Sequence, residues 1–148
     1  MPNDPFYQKP PKVKVPEDQN SKQPVLIPFP SFEQRNQEYM QARQVARSQG
    51  RPEPDPIGQY LVSELTVTGV FETDRGPGAF IQAAPTNTTF FVYNGTRVYN
   101  GEIVGINTGT DFNLGQVLFR ELTKYRIKKK EIEQVNTVTK SVGASVGR

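Results

Sequence analysis

The sequence predicts an all-β fold: a small sandwich or barrel of about five to seven short strands. In front of it stands a long, disordered, proline-rich N-terminal arm containing one marginal helix. Two uneven distributions and one pattern predict this. Eleven of the 13 prolines lie in residues 1–56, and nine of the 12 glycines lie in residues 58–115. Between those glycines run short stretches of Val, Ile, Phe and Thr, the mixture of strands and tight turns. The arm has few aliphatic side chains, so it cannot bury enough apolar surface to offset its ordering entropy. The expected division is an arm over residues 1–56, a small all-β domain over 57–134 and a flexible tail over 135–148.

In the arm, Lys9-Pro10-Pro11-Lys12-Val13-Lys14-Val15-Pro16 favours polyproline II, a semi-rigid spacer rising ~3.1 Å per residue. Val25-Leu26-Ile27-Pro28-Phe29-Pro30 is an apolar island, too short and proline-interrupted for a core strand. Such an island marks a docking segment, the alternative being that it folds back onto the β domain. Ser31-Phe32-Glu33-Gln34 has the capping-box pattern, and Gly50 with Pro52 supplies a stop, which brackets a helix. Its apolar stripe (Phe32, Tyr39, Met40, Ala46) is weak, so the helix needs a partner to persist. Candidate partner-binding residues are therefore Val25, Leu26, Ile27, Phe29, Phe32, Tyr39 and Met40. Residues 51–56, with three prolines, form a stiff linker. Removal of residues 1–50 is expected to leave the β domain folded.

The β domain opens with Leu65-Thr66-Val67-Thr68-Gly69-Val70-Phe71, in which Leu65, Val67 and Gly69 share one face. A turn at residues 74–78 leads to a strand over 79–83, and Pro85-Thr86-Asn87 turns into a strand over 89–93. Asn94-Gly95 and Asn100-Gly101 are strong turn signals. Residues 102–106 form a further strand, and a turn at 108–111 precedes a final strand or hairpin over 117–128.

Several chemistries are excluded or unsupported. The chain has no Cys and no His, which removes thiolate nucleophiles, disulfides, Cys/His metal sites and imidazole bases. Gly76-Pro77-Gly78 is a hairpin turn rather than a phosphate loop, since a strand follows it and Pro77 lacks an N–H. Glu64, Glu72, Asp74, Glu102 and Asp111 show no pairing in their spacing and read as solvated. Asn87-Thr88-Thr89 and Asn94-Gly95-Thr96 match the glycosylation pattern but coincide with turns. Phe90-Phe91, with Phe80 and Tyr93, reads as core packing plus one exposed face. No enzyme, catalytic residue, metal or cofactor is expected. Net charge is +1 over residues 1–58, −3 over 59–115 and +5 over 116–148, and Lys128-Lys129-Lys130 reads as a solvated strand end. No apolar run reaches the ~18 residues of a membrane span. The start Met1-Pro2-Asn3-Asp4 has no signal-peptide pattern and no lipidation cysteine follows. This leaves either a cytoplasmic protein or one whose export segment lies ahead of Met1.

From Pro54 onward the sequence resembles the PilP family of type IV pilus assembly proteins and the related homology region of the secretion protein GspC. The matching residues are Asp55-Pro56, then Leu65-Thr66-Val67-Thr68-Gly69-Val70, Ala79-Phe80-Ile81, Gly95, and Gly101-Glu102-Ile103-Val104-Gly105-Ile106. The ordered set covers nearly half the chain, and the proline-rich arm favours PilP over GspC. The resemblance implies a periplasmic protein held at the inner membrane. Its arm would bind inner-membrane partners of the PilN/PilO type, and its β domain would meet the outer-membrane secretin, with no nucleic acid and no small-molecule substrate. The chain departs from the family in lacking the lipid-carrying cysteine and in its basic stretch at residues 124–130. The alternative is a small β-barrel that binds nucleic acid through its basic C-terminal tail.

Overall fold

The computed structural model describes residues 23–110 and 114–143. The polyproline stretch at 9–16, Asp111 and residues 144–148 of the expected tail lie outside the described residues. In chain order the elements are β1 (Val25–Leu26), α1 (Phe32–Ser48), two 3₁₀ turns (Pro56–Gln59 and Val62–Glu64), β2 (Leu65–Thr73), β3 (Gly76–Ala83), β4 (Thr88–Tyr93), β5 (Arg97–Val98), β6 (Gly101–Asn107), β7 (Gln116–Ile127) and β8 (Lys130–Ser141). They divide into a larger unit, residues 29–122 with 135–143, and a smaller one, residues 23–28 with 123–134.

The larger unit is a β-sandwich. One sheet is an antiparallel meander in the order β2-β3-β4; the other runs β7-β6-β5, with β8 also paired to β7. Leu65, Val67, Ala79, Ile81, Ala83 and Val92 come inward from the first sheet. Val98, Ile103, Ile106, Val117 and Phe119 meet them from the second. Burial of each large side chain contributes about 1.5–3 kcal/mol, and this apolar layer is what makes two sheets rather than one.

Strict alternation fails at two places, and both carry a bulge. The β2–β3 register shifts between Val67 and Gly69, and the β6–β7 register shifts between Ile103 and Gly105. A bulge adds one residue and exchanges the faces beyond it. Val70, not Gly69, therefore packs against the core, and Ile106 joins Ile103 on the inner face.

The described part of the expected tail, residues 135–143, is instead largely strand. Residues 130–141 contain β-branched side chains without Gly or Pro, and a short turn at Lys128-Lys129 returns them along β7. Val138 and Val142 pack against the core. The Val142 amide donates to Gly115 O (3.1 Å) and the Gly143 amide to Val67 O (3.2 Å). Lys140 reaches inward as well, its Nζ donating to Val62 O at 2.7 Å and Leu65 O at 2.5 Å. Burial pushes this lysine below its ordinary pKa, with Glu121 partly opposing the shift.

Asn100, foreseen only as a turn residue, is a buried clamp. Its Oδ1 accepts from the Val62 amide (2.9 Å), its Nδ2 donates to Leu122 O (3.2 Å), and its carbonyl accepts from the Leu122 amide (2.7 Å).

In the smaller unit, Val25 and Leu26 pair with Arg126 and Tyr125, and the Ile27 amide donates to Lys124 O at 2.8 Å. The apolar island is thus a strand on its own chain, the fold-back alternative rather than a free docking segment. Among the described residues, no helix is long and apolar enough to cross a membrane.

Two glycine substitutions test this packing. A Cβ at Gly101 would run into the backbone carbonyl of Arg120, so Gly101→Ala should cost about 2 kcal/mol or more by forcing β6 off β7. A Cβ at Gly58 meets nothing within 4 Å, so Gly58→Ala should stay within about 1 kcal/mol of the parent. Urea unfolding of both variants measures the difference, and equal midpoints would contradict the close β6–β7 approach.

Candidate partner-binding surface

Helix α1 begins as its sequence predicts. Ser31 Oγ accepts from the Gln34 amide at 3.2 Å. The helix ends in a paired-bond stop, with Gly50 N donating to Arg47 O (3.2 Å) and Arg51 N to Ala46 O (2.8 Å). Gly50 takes φ +67°, a conformation costly for residues with a Cβ. The expectation of a helix inside an independent arm is corrected here, because α1 packs on its own sandwich unit. Phe32, Arg35, Asn36, Tyr39, Arg43 and Ala46 recur at helical spacing and are buried or half-buried.

The central contact is polar. Arg35 donates through Nη1 to Glu64 Oε1 (2.9 Å) and through Nη2 to Glu64 Oε2 (2.7 Å), a two-pronged pair. Its remaining donors reach Gln59 O (2.7 Å) and Pro30 O (3.0 Å). The rings of Phe32 and Tyr99 lie 5.5 and 5.6 Å from the guanidinium, near enough for cation–π attraction. Beside it, Asn36 Nδ2 donates to Gln59 Oε1 at 2.6 Å. Glu64, expected to be solvated, is half-buried. Burial raises its pKa, but the hydrogen bonds from Arg35 and the Leu61 amide outweigh burial, and the net value lies below 4.5. The linker is also tied back: Glu53 bridges Arg47 (2.8 Å) and Arg43 (2.9 Å).

The seven candidate residues separate. Val25, Leu26 and Ile27 belong to the smaller unit, and of these Leu26 remains exposed. In the larger unit, Phe29 meets Tyr99 edge-on at 6.1 Å and Phe32 stacks on Tyr60 at 5.2 Å. Tyr39 is half-buried on the inward face, and only Met40 points to solvent. Phe32 is thus an internal packing residue. The seven do not form one continuous surface.

An exposed aromatic ridge lies on the outer face of β2-β3-β4. Phe90 and Phe91, adjacent in β4, take opposite faces: Phe90 lies 5.6 Å from the buried Tyr60, while Phe91 is exposed. Outside, Phe71–Phe80, Phe80–Phe91 and Phe91–Tyr93 have ring centroids 5.2, 4.8 and 5.3 Å apart. Arg75 from the β2–β3 turn caps the row, 4.9 Å from the Tyr93 ring. Register explains the arrangement. Gly69 stands opposite Phe80, and Gly78 stands opposite both Phe71 and Tyr93. The Phe91 ring covers Gly78 so closely that a Cβ there would strike it, and the Phe71 ring lies 3.4 Å from a Cβ built at Gly69. Aromatic rings over strand glycines restore packing the glycines lack. Alternation along β4 foretold an exposed ring there. The cross-strand glycines that complete the ridge carry no local signal.

Phe71, Phe80 and Phe91 are 47%, 37% and 39% exposed, a continuous apolar strip of the kind that marks an interaction surface. No group of three or more acidic side chains gathers to hold a metal ion among the described residues.

No family model matches the chain, and no curated protein matches it. Among solved structures, the solution structure of PilP from Pseudomonas aeruginosa is similar, with a TM-score of 0.43 and 12% identity over 60% of this chain and 71% of that one.

Two measurements test the Arg35 contact. Arg35→Ala should lower unfolding free energy by about 3 kcal/mol, because it strands a half-buried carboxylate. An unfolding midpoint unchanged from the parent would contradict this. The same substitution predicts that removal of residues 1–50 destabilises the sandwich, contrary to the expectation from sequence. For pH, the Arg35 and Leu61 hydrogen bonds hold Glu64's folded pKa below its unfolded value. Its stabilisation is therefore complete above the unfolded value and is lost as pH falls through the folded one. The stability gap between the parent and Glu64→Gln should shrink on acidification from the unfolded carboxylate range downward; thermal melts across that range measure it.

Proposed function

We propose that this chain is a type IV pilus assembly protein of the PilP kind, a periplasmic adaptor held at the inner membrane. Its N-terminal arm engages inner-membrane partners of the PilN/PilO type, and its sandwich docks a periplasmic domain of the outer-membrane secretin. The observation that carries this reading is the ridge of Phe71, Phe80, Phe91 and Tyr93. The rings pack over Gly69 and Gly78 yet leave three phenylalanines half-exposed, and a protein partner covering them removes the remaining apolar area from water. The ordered motifs supply the direction of the reading, since Leu65–Val70 and Gly101–Ile106 fall on β2 and β6. Binding rather than catalysis fits a surface whose chemistry is aromatic and apolar.

Because Phe32 and Tyr39 face the sandwich, the arm's contacts fall to the residues ahead of α1 and to its outer face at Met40 and Val45, both exposed. The test is affinity capture of secretin periplasmic domains by the full chain. Phe71→Ser/Phe80→Ser/Phe91→Ser should weaken capture more than about tenfold while circular dichroism shows the sandwich still folded, with a lowered melting temperature because the rings cover Gly69 and Gly78. Deletion of residues 1–22 should leave secretin capture intact and weaken capture of the PilN/PilO-type partners. Undiminished secretin binding by the triple variant would refute the assignment of the ridge.

A further inference from the structure

The tip of the β7–β8 hairpin combines three features that the sandwich does not explain. Lys128, Lys129 and Lys130 are consecutive and all exposed. They surround a shallow hollow of about 540 Å³ completed by Ile127 and Ile132, and Ile132 is 43% exposed. Residues 123–134 carry five Lys/Arg against two Glu. One of those Glu, Glu131, is 3.4 Å from Arg126, which leaves the three tip lysines without an ion-pair partner among the described residues.

The backbone adds a third observation. Lys128 occupies the first turn position with φ +56°, where glycine is the least costly residue. Lysine there is disfavoured locally, so hairpin stability does not account for its presence.

We propose that this tip is a foot for an anionic lipid bilayer. The lysine ammonium groups meet lipid phosphates, while the lysine stems, Ile127 and Ile132 enter the headgroup region. Lysine suits this, because its four-carbon stem lies along apolar surface with the charge at its end. A bilayer is favoured over nucleic acid because isoleucines flank the lysines and no aromatic ring stands at residues 127–132 to stack on a base. Each lysine near an anionic surface contributes on the order of a fivefold gain in partitioning, or roughly 100-fold for three. This inference does not depend on the pilus reading.

Co-sedimentation of the full chain with phosphatidylcholine vesicles, with and without phosphatidylglycerol, tests it. Binding is expected only to vesicles containing phosphatidylglycerol, and it should fall as salt rises. Lys128→Glu/Lys129→Glu/Lys130→Glu should weaken it by at least roughly 100-fold, with the melting temperature retained. Ile132→Ser should weaken it several-fold. Lys128→Gly should raise thermal stability yet weaken vesicle binding, separating backbone strain from charge. Absence of binding to phosphatidylglycerol vesicles at low salt would overturn the proposal, as would equal binding to neutral vesicles or unchanged binding by the triple variant. Salt-sensitive binding to duplex DNA without vesicle binding would overturn it in favour of nucleic acid.

Discussion

The larger unit depends on one buried guanidinium. Arg35 lies on a helix whose apolar stripe is too thin to hold it down, and its partner Glu64 ends the turn that feeds β2. A buried charge must be matched on all its donors or it destabilises the fold. Here the carboxylate takes two prongs, and backbone carbonyls of Gln59 and Pro30 take others. Four of the five N–H groups are thus matched, which fixes the axial position of α1 more tightly than sliding apolar contacts do. Phe32, stacked on Tyr60, then has a defined place, and through Tyr60 the helix is continuous with Phe90 and the core.

The two sheets divide the labour of the sandwich. Inward residues of both build the apolar layer, whereas the outer face of β2-β3-β4 is given over to rings. Gly69 and Gly78 are part of that division, because a Cβ at Gly78 would strike the Phe91 ring and one at Gly69 would already touch the Phe71 ring. Glycine weakens a strand by itself, and the aromatic cover repairs the local packing while leaving ring faces open to solvent. The stripe is therefore a built surface, specified by register across three strands.

Much of this was legible in the sequence, and the reasons for the rest are physical. Short β-branched runs and Gly-containing turns located β2, β3, β4, β6 and β7, since these signals act over a few residues. The Ser31 cap and Gly50 stop were legible for the same reason. Arg35 and Glu64 are 29 positions apart, and nothing in the neighbourhood of either announces the other. Asn100 shows the same limit, because its Asn-Gly signature is satisfied by a turn whether or not its amide reaches Val62 and Leu122. The bulges at Thr68 and Val104 were hidden because alternation was extended through them. β8 was missed because its outer residues are polar and its value lies in pairing with β7. The apolar island looked free because its partner strand lies about a hundred residues further along the chain.

That last pairing has a mechanical side. β1 offers two residues to β7, and the next element along the chain is the capped helix anchored by Arg35. Tension applied from the N-terminal direction therefore meets the weakest attachment first. Peeling β1 frees residues 25–28, about 13 Å of extended chain, before load reaches Phe29 on Tyr99 and Pro30 at the guanidinium fork. Such slack lets the leading segment yield and re-form while the sandwich keeps its shape.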